Sequence, residues 1–169
     1  AWCRIYQTVF RIALPILPYT EPRILEHAED VPAVLQKRSI QKVLIVTDPG
    51  IARLGLTASL ERALTAQGIG ATVYAETRAN PTVSNVEEAA ALYRENDCRA
   101  IIGFGGGSAM DCAKGVGARI AQPNKPINKM RGLLRVHRLL PLLIAVPTTA
   151  GTGSEVTLAA VITDNETHY

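Results

Sequence analysis

Hydrophobic residues along this 169-residue chain occur in two patterns that alternate with each other. The first consists of short, uninterrupted runs of aliphatic and β-branched residues that end at turns, as is typical of strands buried on both faces of a sheet. Runs of this kind lie at Lys42–Thr47, Ala71–Ala75, Arg99–Phe104 and Leu142–Val146, and we predict another strand at Ala159–Thr163.

The second pattern places apolar residues three and four positions apart, as on one face of a helix. This spacing predicts helices at Val31–Gln36, Leu56–Gln67 and Asp111–Ala121, and a short one near Leu133. The sequence Ser84-x-x-Glu87 has the spacing of a capping box and predicts a further helix that continues through Asn96. Because strands alternate with helices, we expect an α/β fold with a doubly wound, mostly parallel, Rossmann-like sheet and helices on both faces.

The composition is that of an ordinary globular protein, with 47% hydrophobic and 20% charged residues. A chain of this length fits one domain, so we expect residues 1–169 to form a single unit in which residues 1–20 are an N-terminal arm or strand. The apolar runs fall short of the roughly 18 residues that a membrane span needs, so we expect no membrane insertion. Cys3, Cys98 and Cys112 have no disulfide-type or metal-type spacing, and a reducing cytoplasm is the simplest setting.

The net charge of +3 conceals an uneven distribution. Between Cys112 and Ser154 there are basic residues and no Asp or Glu, so this stretch attracts anions or forms a solvated basic face. Nucleic acid is not the expected partner, because the stretch contains no aromatic side chains on which bases could stack.

A glycine turn follows the third predicted strand and precedes a helix: Gly105, Gly106, Gly107 and Ser108. Glycines let backbone N–H groups approach a diphosphate closely, and the positive end of the following helix points at the same place. A tight strand-to-helix turn explains these glycines about as well, and the spacing Ser108-x-x-Asp111 also suits a helix cap. The G-x-G-x-x-G fingerprint is absent, because Ser108 stands where its last glycine would be.

Polar residues also follow two other predicted strands. Asp48 ends the first strand, where it could accept hydrogen bonds from ribose hydroxyls and repel a 2′-phosphate, or could simply cap the Asp-Pro-Gly turn. Thr148 and Thr149 end the fourth strand, and Thr152-x-x-Glu155 has capping spacing that predicts one helical turn. The stretch from Thr148 to Glu155 is therefore a second candidate ligand-binding edge of the sheet.

Other catalytic arrangements are not supported by the sequence. His27, His137 and His168 are scattered without metal-ligand spacing, and there is no G-x-S-x-G elbow around a nucleophilic serine. Cys112 lies in a small-residue helix, where we expect a buried structural thiol.

Taken together, the motifs resemble the iron-dependent alcohol dehydrogenase family (group III). The resemblance runs from about Lys42 to Asp164 and rests on four blocks in the family's order: Ile45-Val-Thr-Asp48, Asn80-Pro-Thr82, Gly105-Gly-Gly-Ser-Ala-Met-Asp111-Cys-Ala-Lys114, and Pro147-Thr-Thr-Ala-Gly-Thr-Gly-Ser-Glu155-Val-Thr157 with Ala160-Val-Ile-Thr-Asp164.

The resemblance implies a dinucleotide-binding N-terminal half, dehydroquinate-synthase-like in fold, of an enzyme that moves hydride between an alcohol and NAD, with NADP less favoured. Asp48 would contact the adenosine ribose and Asn80 the cofactor loop. Gly105, Gly106, Gly107, Ser108 and Asp111 would surround the diphosphate and nicotinamide ribose. The nicotinamide side would be lined by Thr148, Thr149, Thr152 and Thr157.

The family places its metal ligands, one Asp and three His, in a helical C-terminal domain that this sequence does not include. We therefore expect a fragment of a longer protein, with Fe²⁺ or Zn²⁺ bound only in the complete enzyme and little activity in this chain. A small alcohol or aldehyde would be the substrate, and a homodimer the assembly. Two alternatives stay open: a related dehydroquinate-synthase-like lyase that uses NAD, and a non-catalytic nucleotide-binding or dimerisation module.

Overall fold

The computed structural model describes residues 22–132, 135–157 and 159–164. Its centre is a sheet of four parallel strands: β1 (Lys42–Val46), β2 (Gly70–Tyr74), β3 (Ala100–Gly105) and β4 (Leu142–Pro147). The spatial order is β2-β1-β3-β4. The predicted arm at residues 1–20 and the predicted helix near Leu133 lie outside the described residues.

Helices connect the strands in the way that parallel pairing requires. The α-helices are α1 (Val31–Gln36), α2 (Pro49–Arg53), α3 (Ala58–Ala66), α4 (Val83–Glu95) and α5 (Gly107–Ala121), and short 3-10 helices lie at Ala28–Asp30 and Ile127–Met130.

Alternate residues of the central strands supply two separate hydrophobic cores. Val43 and Ile45 of β1 pack on one face with Leu60 and Leu64 of α3. Leu44 and Val46 belong to the core on the other face, together with Val86 of α4 and Cys112 and Val116 of α5. Because β1 is covered on both faces, it needs apolar residues at successive positions, which explains the unbroken run in the sequence. The predicted doubly wound α/β fold is confirmed.

The path of the chain reverses between β1 and β3. From β1 the chain crosses to β2 through α3 on one face, whereas from β3 it crosses to β4 through α5 on the opposite face. Neighbouring crossovers that diverge in this way leave a crevice at the carboxyl ends of the two strands, and ligands of open α/β sheets bind there. Asp48 follows β1 and Gly106 follows β3, so the fold brings both residues to the crevice.

Two local predictions outside the candidate site are wrong. The helix after β2 is capped by Thr82 and not by Ser84: the Thr82 hydroxyl accepts from the Asn85 N–H at 3.2 Å, and the Asn85 side chain accepts from the Thr82 N–H at 3.1 Å. Thr82 has the extended backbone that a cap requires, whereas Ser84 already lies inside the helix.

The predicted strand at Ala159–Thr163 is reduced to a single parallel bridge between Thr82 and Thr163. Residues 159–161 are exposed and lie alongside no strand of the described sheet. A β-branched run without a partner to pair with does not become a strand.

Candidate functional site

Asp48 is the N-cap of α2. Its Oδ1 accepts hydrogen bonds from the N–H groups of Gly50 at 2.8 Å and Ile51 at 3.0 Å, while Pro49 occupies the first helical position, where no N–H is needed. The second oxygen, Oδ2, receives no hydrogen bond from any described residue and faces Gly105, where an added Cβ atom would lie 3.2 Å away. The carboxylate therefore caps its helix with one oxygen and presents the other to the crevice.

The glycine turn departs from ordinary strand geometry at Gly105, whose φ of +144° is one that side-chain-bearing residues rarely adopt. Gly106 follows as the N-cap of α5, and the helix begins at Gly107. The prediction that the helix starts at Asp111 is wrong by one turn, and Ser108 lies within the first turn instead of capping it. Because glycine has no side-chain acceptor, the first N–H groups of a 15-residue helix face the crevice without a capping oxygen from Gly106.

The residues after β4 fold against this turn. The Thr148 N–H donates to the Gly105 carbonyl at 2.9 Å. A Cβ atom on Gly106 would lie 3.2 Å from the Thr149 hydroxyl, and one on Gly107 would lie 3.1 Å from the Ser154 hydroxyl and 3.5 Å from Cγ2 of Thr152. Side chains on these glycines would thus crowd Thr149 and Ser154, so the close approach depends on the absence of Cβ atoms.

The predicted helical turn at Thr152-x-x-Glu155 is a single hydrogen-bonded turn without a helix. The Val156 N–H donates to the Gly153 carbonyl at 3.1 Å. The Thr152 hydroxyl accepts from the Ser154 N–H at 3.4 Å, so it bonds two residues ahead and not three.

Asn80 reaches the same edge from the loop after β2. Its backbone is left-handed, with a φ of +55°, a conformation that asparagine tolerates better than most residues. The Asn80 N–H donates to the Ser108 hydroxyl at 3.3 Å, which joins this loop to the first turn of α5.

Asp111 and Thr157 are linked by Lys114, a residue to which no role had been assigned from the sequence. The Lys114 ammonium lies 3.2 Å from Oδ1 of Asp111, 2.8 Å from the Thr157 hydroxyl and 2.7 Å from the Ala159 carbonyl. The spacing of three between Asp111 and Lys114 on a helix predicts their ion pair. The contact with Thr157, which is 43 residues further along the chain, could not be inferred from spacing.

The structure thus joins all the residues predicted for the cofactor site into one connected group at the carboxyl edge of the sheet: Asp48, Asn80, Gly105, Gly106, Gly107, Ser108, Asp111, Thr148, Thr149, Thr152 and Thr157. Their individual contacts with a cofactor stay predictions.

Two ionisable side chains in the hydrophobic core, Cys112 and Tyr74, have structural roles. Cys112 faces the core from α5 and is fully buried, and burial raises the pKa of its thiol to about 11, so it is protonated at neutral pH. Burial is also the main cause that raises the pKa of Tyr74, whose hydroxyl is hydrogen-bonded to Glu88 and Asn85. The prediction that Cys112 is a buried thiol is confirmed.

In the part of the chain that the structure describes, no three His, Cys, Asp or Glu side chains come close enough together to hold a metal ion. None of the described helices is both long and apolar enough to cross a membrane.

The sheet is parallel and doubly wound, and the crevice at the carboxyl ends of β1 and β3 holds a glycine turn and a free carboxylate oxygen. These features define an α/β domain of the nucleotide-binding type. A family model described as iron-containing alcohol dehydrogenase matches residues 24–169. The chain belongs to this family, as its motifs predicted.

Known relatives agree with this assignment. The chain is 37% identical over 132 residues to a choline dehydrogenase of Bacillus subtilis, a match that covers 77% of this chain and 33% of the relative. It is 39% identical over 129 residues to a probable alcohol dehydrogenase, EutG, of Escherichia coli, covering 76% of this chain and 32% of the relative. The chain therefore spans about a third of the length of these curated relatives.

Solved structures share the fold. An alcohol dehydrogenase from Oenococcus oeni superposes with a TM-score of 0.79 at 38% identity, covering 84% of this chain and 37% of the other. A sulfoacetaldehyde reductase from Bifidobacterium kashiwanohense, solved in complex with NAD⁺, superposes with a TM-score of 0.75 at 29% identity, covering 89% of this chain and 41% of the other.

Proposed function

We propose that this chain binds NAD at the carboxyl edge of its sheet and forms the cofactor-binding half of an oxidoreductase that interconverts alcohols and aldehydes or ketones. The observation that carries the proposal is the junction of β3 and α5, where a helix N-terminus without a side-chain cap lies next to the unpaired Oδ2 of Asp48. The helix N-terminus suits an anion, and the carboxylate oxygen suits a hydroxyl. A dinucleotide carries both, in its diphosphate and its riboses.

The diphosphate is assigned to the first turn of α5. The N–H groups of Gly107 and Ser108 lie at the positive end of the helix dipole, which favours a bound anion by electrostatics as well as by hydrogen bonding. The glycines also fit the group sterically, because side chains at Gly106 and Gly107 would crowd the hydroxyls of Thr149 and Ser154, which lie against the turn.

The adenosine ribose is assigned to Asp48. Since Oδ1 is already used by two backbone N–H groups, Oδ2 is the oxygen that would accept from ribose hydroxyls. A 2′-phosphate in the same position would be repelled by the carboxylate, so we expect NAD to be preferred to NADP.

The reaction requires little more of these residues than binding and orientation. Bound NAD supplies a nicotinamide ring that accepts hydride from the carbon of an alcohol or returns it to a carbonyl. Asn80 and the threonines after β4 would hold the nicotinamide end in place. The described residues do not fit a catalytic metal, so we place an Fe²⁺ or Zn²⁺ ion in a further part of the complete enzyme.

We also propose a small alcohol or aldehyde as substrate, a homodimer as the assembly and the cytoplasm as the location. Neither nucleic acid nor a membrane is an expected partner. The buried, unpaired thiols of Cys98 and Cys112 support a reducing compartment.

The cofactor assignment is tested by calorimetric titration of the 169-residue chain with NAD, NADP and ADP-ribose. We expect saturable heats with NAD and ADP-ribose and weaker binding of NADP. A chain that gave no saturable heat with any of the three would be a structural module, and the proposal would be wrong.

The role of Asp48 is tested by Asp48→Asn, which keeps an oxygen that can cap α2 but removes the charge. Repulsion between a carboxylate and a 2′-phosphate a few ångströms apart in water is about 1–2 kcal/mol, so the preference for NAD over NADP should fall about tenfold. Asp48→Gly, which removes cap and charge together, should relax the preference as well. If the preference stays unchanged in both variants, Asp48 only caps its helix.

A further inference from the structure

The chain returns across α5 after β4. Ile162 packs against the core beside Gly115, but most other described residues of this stretch are exposed. We call residues 148–157 and 159–164 the return segment. Val156 and Val161 are 61% and 68% exposed, and residues 155–157 and 159–161 all lie at the surface. A segment with so little buried apolar surface depends on polar contacts for its order.

Those contacts are concentrated in three places. Thr148 bonds to Gly105 at one end, and at the other the Thr163 N–H donates to the Pro81 carbonyl at 2.8 Å. Between these two points, the hydrogen bonds that join described residues of the return segment to α5 come from the side chains of Lys114 and Asp111.

Lys114 is fully engaged by this chain. An ammonium group has three N–H donors, and three acceptors surround the Lys114 nitrogen within 3.2 Å: Asp111, Thr157 and Ala159. The other oxygen of Asp111 accepts from the Val161 N–H at 3.1 Å. The two side chains together therefore hold three points of the return segment.

This pair is well shielded from water. The Lys114 and Asp111 side chains are 11% and 14% exposed, so their hydrogen bonds are weakened less by solvent than those of a surface ion pair. Removing the ammonium would leave Asp111 as a shielded carboxylate without its counter-charge and would release Thr157 and Ala159.

We propose that Lys114 and Asp111 form a clasp that holds the return segment against α5. Lys114 is thereby a positioning residue for the NAD site at the carboxyl edge of the sheet. The inference rests on the proposed NAD site, because the clasped segment carries Thr149 and Thr152, which lie against the glycine turn. With the clasp open, NAD must order the return segment as it binds. The affinity for NAD then falls, because part of the binding free energy is used for that ordering.

The first measurement needs no cofactor. Lys114→Met keeps most of the side-chain length and removes all three donors. By NMR, we expect the Val161 amide of the ligand-free variant to exchange its hydrogen at least about tenfold faster than in the parent chain. Lys129→Met is the control, because it makes the same change at an exposed lysine that has no hydrogen bond to the return segment.

The second measurement is NAD affinity by calorimetry. Lys114→Met should weaken NAD binding about tenfold, since hydrogen bonds of a charged group contribute that order of free energy, while Lys129→Met should leave it unchanged. Thr157→Val, which removes one acceptor of the clasp and keeps all charges, should change exchange and affinity in the same direction by less. It also provides the test if Lys114→Met does not fold.

The outcomes separate the hypotheses. Unchanged exchange at Val161 would overturn the clasp, and weaker NAD binding with unchanged exchange would indicate that Lys114 contacts the cofactor directly. Faster exchange with unchanged affinity would overturn the positioning role. If the parent chain bound no NAD, the proposed function would fail, whereas the exchange measurement would still decide whether the clasp exists.

Discussion

Replacing Gly105 with alanine would add one methyl group at the point where β3 turns into α5. The structure gives this change two separate costs. The backbone φ of +144° disfavours any residue with a Cβ atom, and the methyl group would lie 3.0 Å from Cβ of Ala109 and 3.2 Å from Oδ2 of Asp48. Ala109 is held by the helix backbone and cannot move aside easily.

The magnitude follows from these two terms. A side-chain-bearing residue in a sparsely populated backbone region costs about 1–3 kcal/mol, and overpacking a buried position costs about 1–3 kcal/mol. Because a small shift of the turn relieves part of both, we expect Gly105→Ala to lower the free energy of unfolding by about 2–4 kcal/mol. That is a large share of the roughly 5–15 kcal/mol that stabilises a typical domain.

Urea unfolding monitored by circular dichroism measures this loss, and two other glycines separate its causes. Gly55 has a φ of +64° and open space around it, so Gly55→Ala carries only the backbone cost, about 1–2 kcal/mol. Gly117 lies inside α5, where an added Cβ would meet no atom closer than 3.6 Å, so Gly117→Ala should be neutral or stabilise by up to about 1 kcal/mol. If Gly105→Ala costs no more than Gly55→Ala, the contacts with Ala109 and Asp48 do not constrain the turn as argued.

Two further predictions concern the packing of α5. Gly115→Ala should lower the free energy of unfolding by about 1–3 kcal/mol, because its Cβ would lie 2.8 Å from Cγ2 of Val86; a urea midpoint as high as that of the parent chain would contradict the close packing of α4 and α5. Cys112 has a folded-state pKa of about 11 against an ordinary value of 9.0, so the unfolded chain releases this proton first. The stabilisation from the buried neutral thiol is therefore complete below pH 9, falls between pH 9 and 11, and amounts to about 3 kcal/mol. Unfolding curves across this range should show a shallower decline in Cys112→Ala than in the parent chain; equal slopes would show that other groups, such as Tyr74, cause the decline.

Much of the fold could be predicted from local spacing. The helix at Val31–Gln36 matches its prediction, and the four strands of the sheet agree with theirs to within a residue or two at each end. These elements were predictable because burial on one or both faces imposes a period on the apolar residues, and that period is visible without knowing the partner.

One failure lies where two local solutions compete. Both Thr82 and Ser84 have a polar residue three positions ahead, and either could begin the helix after β2. The structure selects Thr82 because Asn85 also donates to the Tyr74 hydroxyl and the Glu76 carbonyl, at 2.9 Å and 3.0 Å. Those partners come from β2 and the loop after it, so the helix start depends on packing that no capping rule includes.

The sequence by itself determined the alternation of strands and helices, the glycine turn and the family. Only the tertiary structure decided that β1 and β3 are neighbours, that Oδ2 of Asp48 faces Gly105, and that Lys114 reaches Thr157 and Ala159. The physical reason is the range of the interactions. Spacing along the chain records which side chains avoid water, whereas contacts between residues 40 or more positions apart depend on the order of the strands and the direction of each crossover.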